Sequence, residues 1–201
     1  MIRRFLLTLA LALPLTGGFV AAASAQTLPP VTPADRSIGR ADAPVTVVEY
    51  ASFTCPHCAA WQTEVLPTFK TRFIDTGRVR LVFRNLPTAP ANVAQAAAAV
   101  AHCAPADRFP AVAKSFFEGQ AGLFAGDART WFTNAIAAGG MTEADIETCF
   151  ANPATKAELE VEAAGAAAAG VQGTPAFFVN GRRTTEHTLA ALAAAIDAAG
   201  T

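Results

Sequence analysis

The chain has 201 residues, of which 52% are hydrophobic and 15% are charged, and its formal net charge is −1. This length and composition can build a sizeable core, which excludes an intrinsically disordered protein. The near-neutral charge leaves no basic stripe, so nucleic acid is not an expected partner.

The N-terminus has the pattern of a secretory signal peptide. Arg3 and Arg4 precede an apolar run, and this run closes on the A-x-A cleavage signal "ASA" at residues 23–25. Helix breakers such as Pro14 interrupt the run, which favours a cleaved signal over a membrane anchor, the alternative interpretation. We therefore predict a signal peptide over residues 1–25 and a mature protein in the periplasm.

The mature chain is expected to begin near Gln26. Without the two arginines of the signal it keeps 13 of the 15 basic residues against 16 acidic ones, a formal charge of −3. Its cysteines must be interpreted as residents of an oxidising compartment. Residues 26–44 are rich in proline and polar side chains, which is typical of an extended lead-in.

A strand, a helix and a second strand are predicted next. The β-branched run "VTVVEY" at residues 45–50 indicates a buried strand. Apolar residues then recur four apart from Trp61 to Phe73, as in a helix, and Pro67 within this segment predicts a kink. Residues 77–87, "GRVRLVFRNLP", complete a βαβ unit, which requires the two strands to be parallel.

The remaining chain is predicted to be helical and then to return to strands. Residues 90–170 show helical patterns only. Residues 175–185 contain the Asn180-Gly181 pair, the strongest two-residue signal for a hairpin. An alanine-rich helix is expected over residues 187–199. The order β-α-β, helices, β-β-α predicts an α/β fold.

Two cysteines in the segment "FTCPHCAAW" carry the main functional signal. A structural zinc site needs four ligands, usually from two closely spaced pairs, and the chain has a single C-x-x-C. Covalent haem attachment needs C-x-x-C-H, but Ala59 follows the second cysteine. A purely structural disulfide across so short a loop stabilises little. Redox chemistry is favoured because the pair, Cys55 and Cys58, follows a buried strand and opens a helix.

The start of a helix would make the two cysteines unequal. The first turn presents unpaired N–H groups and a partial positive charge. We expect Cys55 at or just before this end and exposed, and Cys58 one turn further and shielded. The pKa of Cys55 should then fall below the free value of ~8.5, helped by any positive charge on His57. A stabilised thiolate favours the reduced protein, which makes the disulfide a stronger oxidant.

The stretch "VTVVEYASFTCPHC", with the later "GVQGTPAFFVNGR", resembles the DsbA-like thiol:disulfide oxidoreductases. The resemblance covers roughly residues 38–199. It implies a thioredoxin fold whose two parts, residues 45–89 and 171–201, enclose an inserted helical domain at residues 90–170. A redox-active disulfide takes the place of a dissociable cofactor in this family.

The resemblance also implies roles for the C-x-x-C residues. Cys55 would be the attacked cysteine that forms mixed disulfides, and Cys58 the resolving cysteine. Pro56 and His57 would be the dipeptide that tunes the reduction potential.

Three residues outside this motif receive roles by the same resemblance. Pro175 would be a cis-proline facing the disulfide, and the Thr174 backbone would pair with an extended substrate. The best-known oxidases carry valine where this chain has Thr174, and some isomerases carry threonine. Glu49 resembles the buried acid that shuttles protons to the resolving cysteine; the alternative is a solvated glutamate at a strand end.

Cys103 and Cys149 remain, and in an oxidising compartment they are expected to pair. Their loop of 47 residues gives a stabilisation of at most ~4 kcal/mol by chain entropy. We predict a structural disulfide, with a regulatory redox role as the alternative. His102, next to this pair, is expected on a helix surface.

The resemblance implies a periplasmic oxidase that donates its Cys55–Cys58 disulfide to folding secreted proteins with free thiols. It also implies that a quinone-linked partner in the inner membrane reoxidises this enzyme. Two alternatives stay open. One is a reductase or isomerase for a specialised client, such as a cytochrome or copper-site maturation protein. The other is a non-enzymatic metal-binding module that uses Cys55, His57 and Cys58 as ligands. The short segment ahead of the first strand favours a monomer, because the isomerases carry a dimerisation domain there.

Overall fold

The computed structural model describes residues 27–200. The predicted signal peptide lies outside these residues. Within residues 27–200, none of the helices combines the length and the apolar character that a membrane span needs.

A five-stranded mixed sheet forms the centre of the fold. Its strands in chain order are β1 (Arg36–Ile38), β2 (Val45–Ala51), β3 (Val79–Asn85), β4 (Ala176–Val179) and β5 (Arg182–Arg183). They lie across the sheet in the order β1-β3-β2-β4-β5. β2 and β3 are parallel, as predicted, whereas the other neighbouring pairs are antiparallel.

The edge strand β1 lies within the segment that we expected to be an extended lead-in. Its three residues pair with Leu81–Phe83 of β3. The sequence "RSI" is too short to show an alternating pattern, so the pairing depends on β3 and not on a local signal.

The helix after β2 spans residues 56–74 and is called the cysteine helix below. Its successive segments are α1 (Pro56–Ala60), a π-helical turn (Trp61–Val65), α2 (Leu66–Phe69) and a second π-helical turn (Lys70–Ile74). Pro67 lies in the first turn of α2. Proline has no N–H to donate, which accounts for an irregularity at this place. The predicted kink is thus part of a longer irregular stretch with π-helical turns on both sides.

Six helices lie between β3 and β4 and are called the helical insert. They are α3 (Ala91–Cys103), α4 (Phe109–Glu118), α5 (Gln120–Phe124), α6 (Ala128–Ala138), α7 (Glu143–Ala151) and α8 (Pro153–Ala168). The final helix is α9 (Leu189–Ala199), which begins two residues later than predicted. It begins there because the Thr188 hydroxyl accepts a hydrogen bond from the Ala191 N–H and caps the helix.

The predicted hairpin between β4 and β5 is present. Asn180 and Gly181 have φ angles of 45° and 82°, the positive values that a type I′ turn requires. The Asn180 side chain also accepts a hydrogen bond from the Thr46 N–H of β2 at 2.8 Å. These contacts hold β4 beside β2, which brings the segment before β4 to the start of the cysteine helix.

Both faces of the sheet are buried. Phe177 of β4 packs against Trp61 with ring centroids 4.7 Å apart, on the face covered by the cysteine helix and α9. Phe178 points to the other face and packs against Tyr50 and residues of α8. The site therefore rests on a sheet that is enclosed on both sides.

Candidate active site

Cys55 occupies the N-cap of α1. Its backbone is extended, with φ −86° and ψ 117°, and its Sγ accepts a hydrogen bond from the Cys58 N–H at 3.4 Å. A side chain at this position meets the N–H groups that the helix itself leaves unpaired. Pro56 follows at the first helical position, where its missing N–H costs nothing. The predicted placement of the cysteine at the helix terminus is confirmed.

The expected exposure of Cys55 was wrong. Only 5% of Cys55 is exposed, and Cys58 is fully buried. The cover comes from the segment before β4, where the Thr174 carbonyl oxygen lies 3.4 Å from the Cys55 Sγ and can accept a hydrogen bond from it when the thiol is protonated. Thr174 lies 119 positions along the chain, so a local sequence pattern could not show this contact.

The segment that faces Cys55 contains the predicted cis-proline. The Thr174–Pro175 peptide bond is cis, and its carbonyl side lies against the Cys55 sulfur. The Thr174 hydroxyl is buried and has no hydrogen-bond partner among residues 27–200. It is therefore a polar group that can respond to the charge of the sulfur or to a bound substrate.

The surroundings of Cys55 lower its pKa to about 5. The largest cause is the hydrogen bond with the Cys58 side chain; burial opposes it. The Thr174 side chain and the backbone N–H groups of Cys58 and His57 lower the pKa further. The His57 side chain is itself exposed, so the motif histidine acts on Cys55 through its backbone.

The pKa of Cys58 moves in the opposite direction. Burial raises it most, and the hydrogen bond with Cys55 and the charges of Glu49 and Cys55 raise it further. At neutral pH the reduced site therefore holds a thiolate at Cys55 and a thiol at Cys58. The two neighbouring cysteines are chemically distinct, as an attacked and a resolving cysteine must be.

Glu49 is fully buried on β2, so the alternative of a solvated strand-end glutamate was wrong. One of its carboxyl oxygens accepts a hydrogen bond from the Gln62 amide at 2.9 Å, and the other has no partner within residues 27–200. Burial raises the pKa of Glu49 to about 8, with Gln62 opposing and the charge of Cys55 adding to the rise. The carboxyl group is thus protonated at neutral pH and is coupled electrostatically to both cysteines.

Two glutamines contribute to the site without having been predicted. Gln62 on the cysteine helix binds Glu49, and Gln120 at the start of α5 donates to the carbonyls of Phe53 and Cys55. Gln62 follows Cys58 by four residues, one helical turn, so helix periodicity could have placed it beside the pair. No local signal connects Gln120 to a loop more than 60 residues earlier.

The second cysteine pair lies in the helical insert. Cys103 at the end of α3 and Cys149 near the end of α7 form the predicted disulfide, with Cα atoms 5.8 Å apart. His102 beside it was wrongly expected on a helix surface. It is 8% exposed, and its two ring nitrogens lie 3.3 Å from a Glu158 carboxyl oxygen and 3.0 Å from one of Glu162. Those partners come from α8, which a helical pattern in α3 cannot reveal.

The predicted site residues therefore fall into two places. One group meets at the start of the cysteine helix, and the other lies in the insert. The first group contains Cys55, Pro56, His57, Cys58, Glu49, Thr174 and Pro175, and the second contains Cys103 and Cys149. Over residues 27–200, no three His, Cys, Asp or Glu side chains are grouped so that they could hold a metal ion.

Comparisons with known proteins agree with this geometry. A family model described as Thioredoxin matches residues 31–198. A protein of Bacillus cereus named as disulfide bond formation protein D is 50% identical over 52 residues, which are 26% of this chain and 24% of that protein. A protein of Rickettsia bellii named as a protein-disulfide oxidoreductase is 29% identical over 168 residues, 82% of this chain and 64% of that protein. The aligned stretches thus span less than two thirds of either relative.

A solved structure supports the fold. The crystal structure of α-DsbA1 from Wolbachia pipientis superposes with a TM-score of 0.74 at 22% sequence identity, and the match covers 85% of this chain and 92% of that one. The expected thioredoxin fold with a helical insertion is confirmed by this likeness. Because the family match runs through nearly all of the described residues and the fold agrees with it, the chain belongs to the thioredoxin family.

Proposed function

We propose that the protein is a periplasmic oxidase that donates its Cys55–Cys58 disulfide to folding secreted proteins with free thiols. The observation that carries this proposal is the stabilised thiolate at Cys55, whose pKa is about 5. Stabilising the thiolate stabilises the reduced protein, and a disulfide whose reduced form is stable passes readily to other thiols.

The exchange begins when a client thiolate attacks the Cys55 sulfur. The bond between the two protein sulfurs breaks, its electron pair goes to Cys58, and a mixed disulfide joins the client to Cys55. A second client thiolate then attacks the client sulfur of the mixed disulfide. The Cys55 thiolate leaves, the client is oxidised, and the protein has gained two electrons.

Glu49 has the position and the protonation state to serve the first of these steps. Cys58 leaves as a thiolate in a buried site where its pKa is raised, so it needs a proton. Glu49 is protonated at neutral pH and one of its oxygens is free of hydrogen-bond partners within residues 27–200. It can therefore give a proton to the Cys58 sulfur, and take one back when the disulfide re-forms.

The segment at Thr174 and Pro175 would hold the client during exchange. It faces Cys55 and leads directly into β4. An extended client peptide can pair with such a backbone in the manner of an added strand. Recognition through main-chain atoms would suit an enzyme that accepts many unfolded sequences.

Reoxidation completes the proposed cycle. The resemblance to the DsbA-like family supports a quinone-linked partner in the inner membrane, which would take the two electrons through the same cysteine pair. No dissociable cofactor enters this cycle. The signal-peptide pattern over residues 1–25 supports the periplasm as its location.

The decisive measurement is the equilibrium reduction potential of Cys55–Cys58 in a glutathione buffer, with Cys103 and Cys149 followed separately by mass spectrometry. We expect a value well above that of thioredoxin, about −270 mV, and nearer the ~−120 mV of DsbA. The oxidised protein should also convert a reduced, unfolded peptide to its disulfide form. A potential at or below that of thioredoxin would overturn the oxidase proposal and favour a reductase.

A further inference from the structure

The loop that carries Cys55 is buried and irregular. Residues 52–55 connect β2 to α1, and all four are buried. Backbone carbonyls in such a place cannot rely on water and need protein donors. The Ser52 carbonyl accepts from the Cys55 N–H at 3.0 Å, within the loop itself.

Gln120 of the helical insert supplies donors to two further carbonyls. Its side-chain amide donates to the Phe53 carbonyl at 2.8 Å and to the Cys55 carbonyl at 3.2 Å. Gln120 is 6% exposed, so solvent does not compete for these bonds. One amide group thus binds the backbone on both sides of Thr54, directly before the helix that stabilises the thiolate.

The insert also contacts the Phe53 side chain of this loop. Phe53 packs against Phe116 and Phe117 of α4, with ring centroids 5.0 Å apart in each case. The chain directly before Gln120 packs closely on α6, because a Cβ at Gly119 would lie 2.9 Å from the Trp131 ring. Phe53 therefore packs against α4 through its ring and accepts a hydrogen bond from α5 through its carbonyl.

We propose that Gln120 is a positioning residue for Cys55, and that the insert tunes the active-site cysteine through it. The inference deepens the proposed function, because it assumes that Cys55 is the exchanging sulfur. Gln120 fixes the Cys55 carbonyl and with it the extended N-cap backbone that directs Sγ at the Cys58 N–H. Without the amide, the Phe53 carbonyl loses its donor and the Cys55 carbonyl keeps only the bond from the Ala59 N–H. The cap then relaxes, and the thiolate loses part of its stabilisation.

The test compares Gln120→Met, which removes the donor and keeps the approximate shape, with the wild-type protein. We expect the pKa of Cys55, read from thiolate absorbance, to rise, and the equilibrium constant for oxidising glutathione to fall by about threefold to tenfold. Unfolding by urea is measured in parallel. A change in stability without a change in pKa and potential would overturn the inference, because it would reduce Gln120 to a structural residue.

Thr155→Val provides a matched control. The Thr155 hydroxyl donates to the Cys149 carbonyl at 3.0 Å, so this variant also removes a donor from a cysteine carbonyl, but at the other pair. We expect it to leave the pKa of Cys55 and the potential unchanged. An equal shift in both variants would overturn the inference, since it would mean that any loosened contact in the insert has the same effect.

A second measurement needs no variant and covers the case in which Gln120→Met does not fold. In the wild-type protein, the side-chain amide protons of Gln120 should exchange with water at least about tenfold more slowly than those of the exposed Gln172. They should also change chemical shift when Cys55–Cys58 is reduced. Equal exchange rates would overturn the inference. If wild-type Cys55 does not exchange with glutathione at all, the proposed function fails, and the two failures are thereby distinguished.

Discussion

The two cysteine pairs lie at opposite ends of helices. Cys55 is the N-cap of α1, whereas Cys103 is the last residue of α3 and Cys149 lies in the last turn of α7. A helix N-terminus carries a partial positive charge that stabilises a thiolate, and a C-terminus carries a partial negative charge that disfavours one. Reduction therefore gives a thiolate at the first pair that the helix N-terminus stabilises. A thiolate at the second pair would be disfavoured by the helix C-termini.

The pairs also differ in the chain that they close. Cys55 and Cys58 are three positions apart, while Cys103 and Cys149 are separated by 46. A short loop hardly restricts the unfolded chain, whereas a long one restricts it strongly. Helix polarity and loop length thus suit the first pair to thiol–disulfide exchange and the second to stabilising the fold.

The largest effect should come from breaking the first pair. Cys58→Ala removes the disulfide to be donated, so oxidation of a reduced peptide should fall roughly a thousandfold or more. Cys55 should then be found by mass spectrometry in mixed disulfides that persist. The double variant Cys103→Ala/Cys149→Ala should retain the activity. Turnover by Cys58→Ala would contradict the assignment of Cys58 as the resolving cysteine.

Breaking the second pair should act on stability instead. In Cys103→Ala/Cys149→Ala, the free energy of unfolding should fall by up to ~4 kcal/mol, because the unfolded chain regains the freedom that the loop had lost. Urea unfolding measures this loss. The equilibrium constant between Cys55–Cys58 and glutathione should change by less than about twofold. This corresponds to less free energy than one hydrogen bond contributes. A larger shift would favour the regulatory role for Cys103–Cys149 and contradict a purely structural one.

Glu49 adds a further difference between the pairs, because the first pair is coupled electrostatically to this fully buried acid. The pKa of Glu49 is about 8 in the folded protein and ~4.3 in the unfolded chain. Stability from the neutral carboxyl group is fully present below the unfolded pKa and is lost as pH rises through the folded pKa. That pKa belongs to the protein with free Cys55 and Cys58, and its largest cause is burial, which acts in the oxidised protein as well. The oxidised protein, in which Cys55 does not titrate, should thus lose on the order of 2 kcal/mol between pH 5 and 7.

Glu49→Gln should abolish that slope. Urea unfolding of the oxidised variant at pH 5 and pH 7 checks this, with Glu64→Gln, an exposed carboxyl of the cysteine helix, as the control. In the reduced protein the depressed pKa of Cys55 acts with the opposite sign, since its stabilisation is lost as pH falls through about 5. The reduced wild type should therefore show a flatter profile than the oxidised one. A pH slope that survives in oxidised Glu49→Gln would refute the assignment.

The smallest effect concerns the hydroxyl beside Cys55. Thr174→Val removes a side chain that lowers the pKa of Cys55 but whose hydroxyl forms no hydrogen bond within residues 27–200. The pKa of Cys55 should therefore rise by less than about one unit. Thiolate absorbance against pH measures the change. Thr133→Val, an exposed threonine of α6, is the control. An unchanged pKa would mean that the Thr174 hydroxyl does not interact with the sulfur.

Local features of the site could be predicted from the sequence. The placement of Cys55 at a helix start follows from a strand, a C-x-x-C and a helical pattern within a few residues. The hairpin at Asn180-Gly181 follows from two residues that tolerate positive φ. The buried position of Glu49 could only be suspected, from an apolar run and a resemblance, because a short strand gives little pattern to weigh.

Contacts between distant parts of the chain could not be predicted. Cys55 is covered by Thr174, His102 is enclosed by Glu158 and Glu162, and Gln120 binds the Cys55 loop. In each case the partners are more than 50 positions apart, and the sequence of neither segment predicts that it contacts the other. The direction of the error was therefore consistent: residues taken as exposed proved to be buried.

The position of the insert has a consequence for the order of folding. Cys55 and its helix N-terminus are local and can form as soon as the cysteine helix does, whereas Thr174 must return across 119 positions. Contacts of such large sequence separation form late, because the entropy of closing the loop is lost before they stabilise anything. An emerging chain thus passes through a stage in which Cys55 already lies at a helix N-terminus but is not yet covered. The segment before β4 covers it only when β4 joins the sheet.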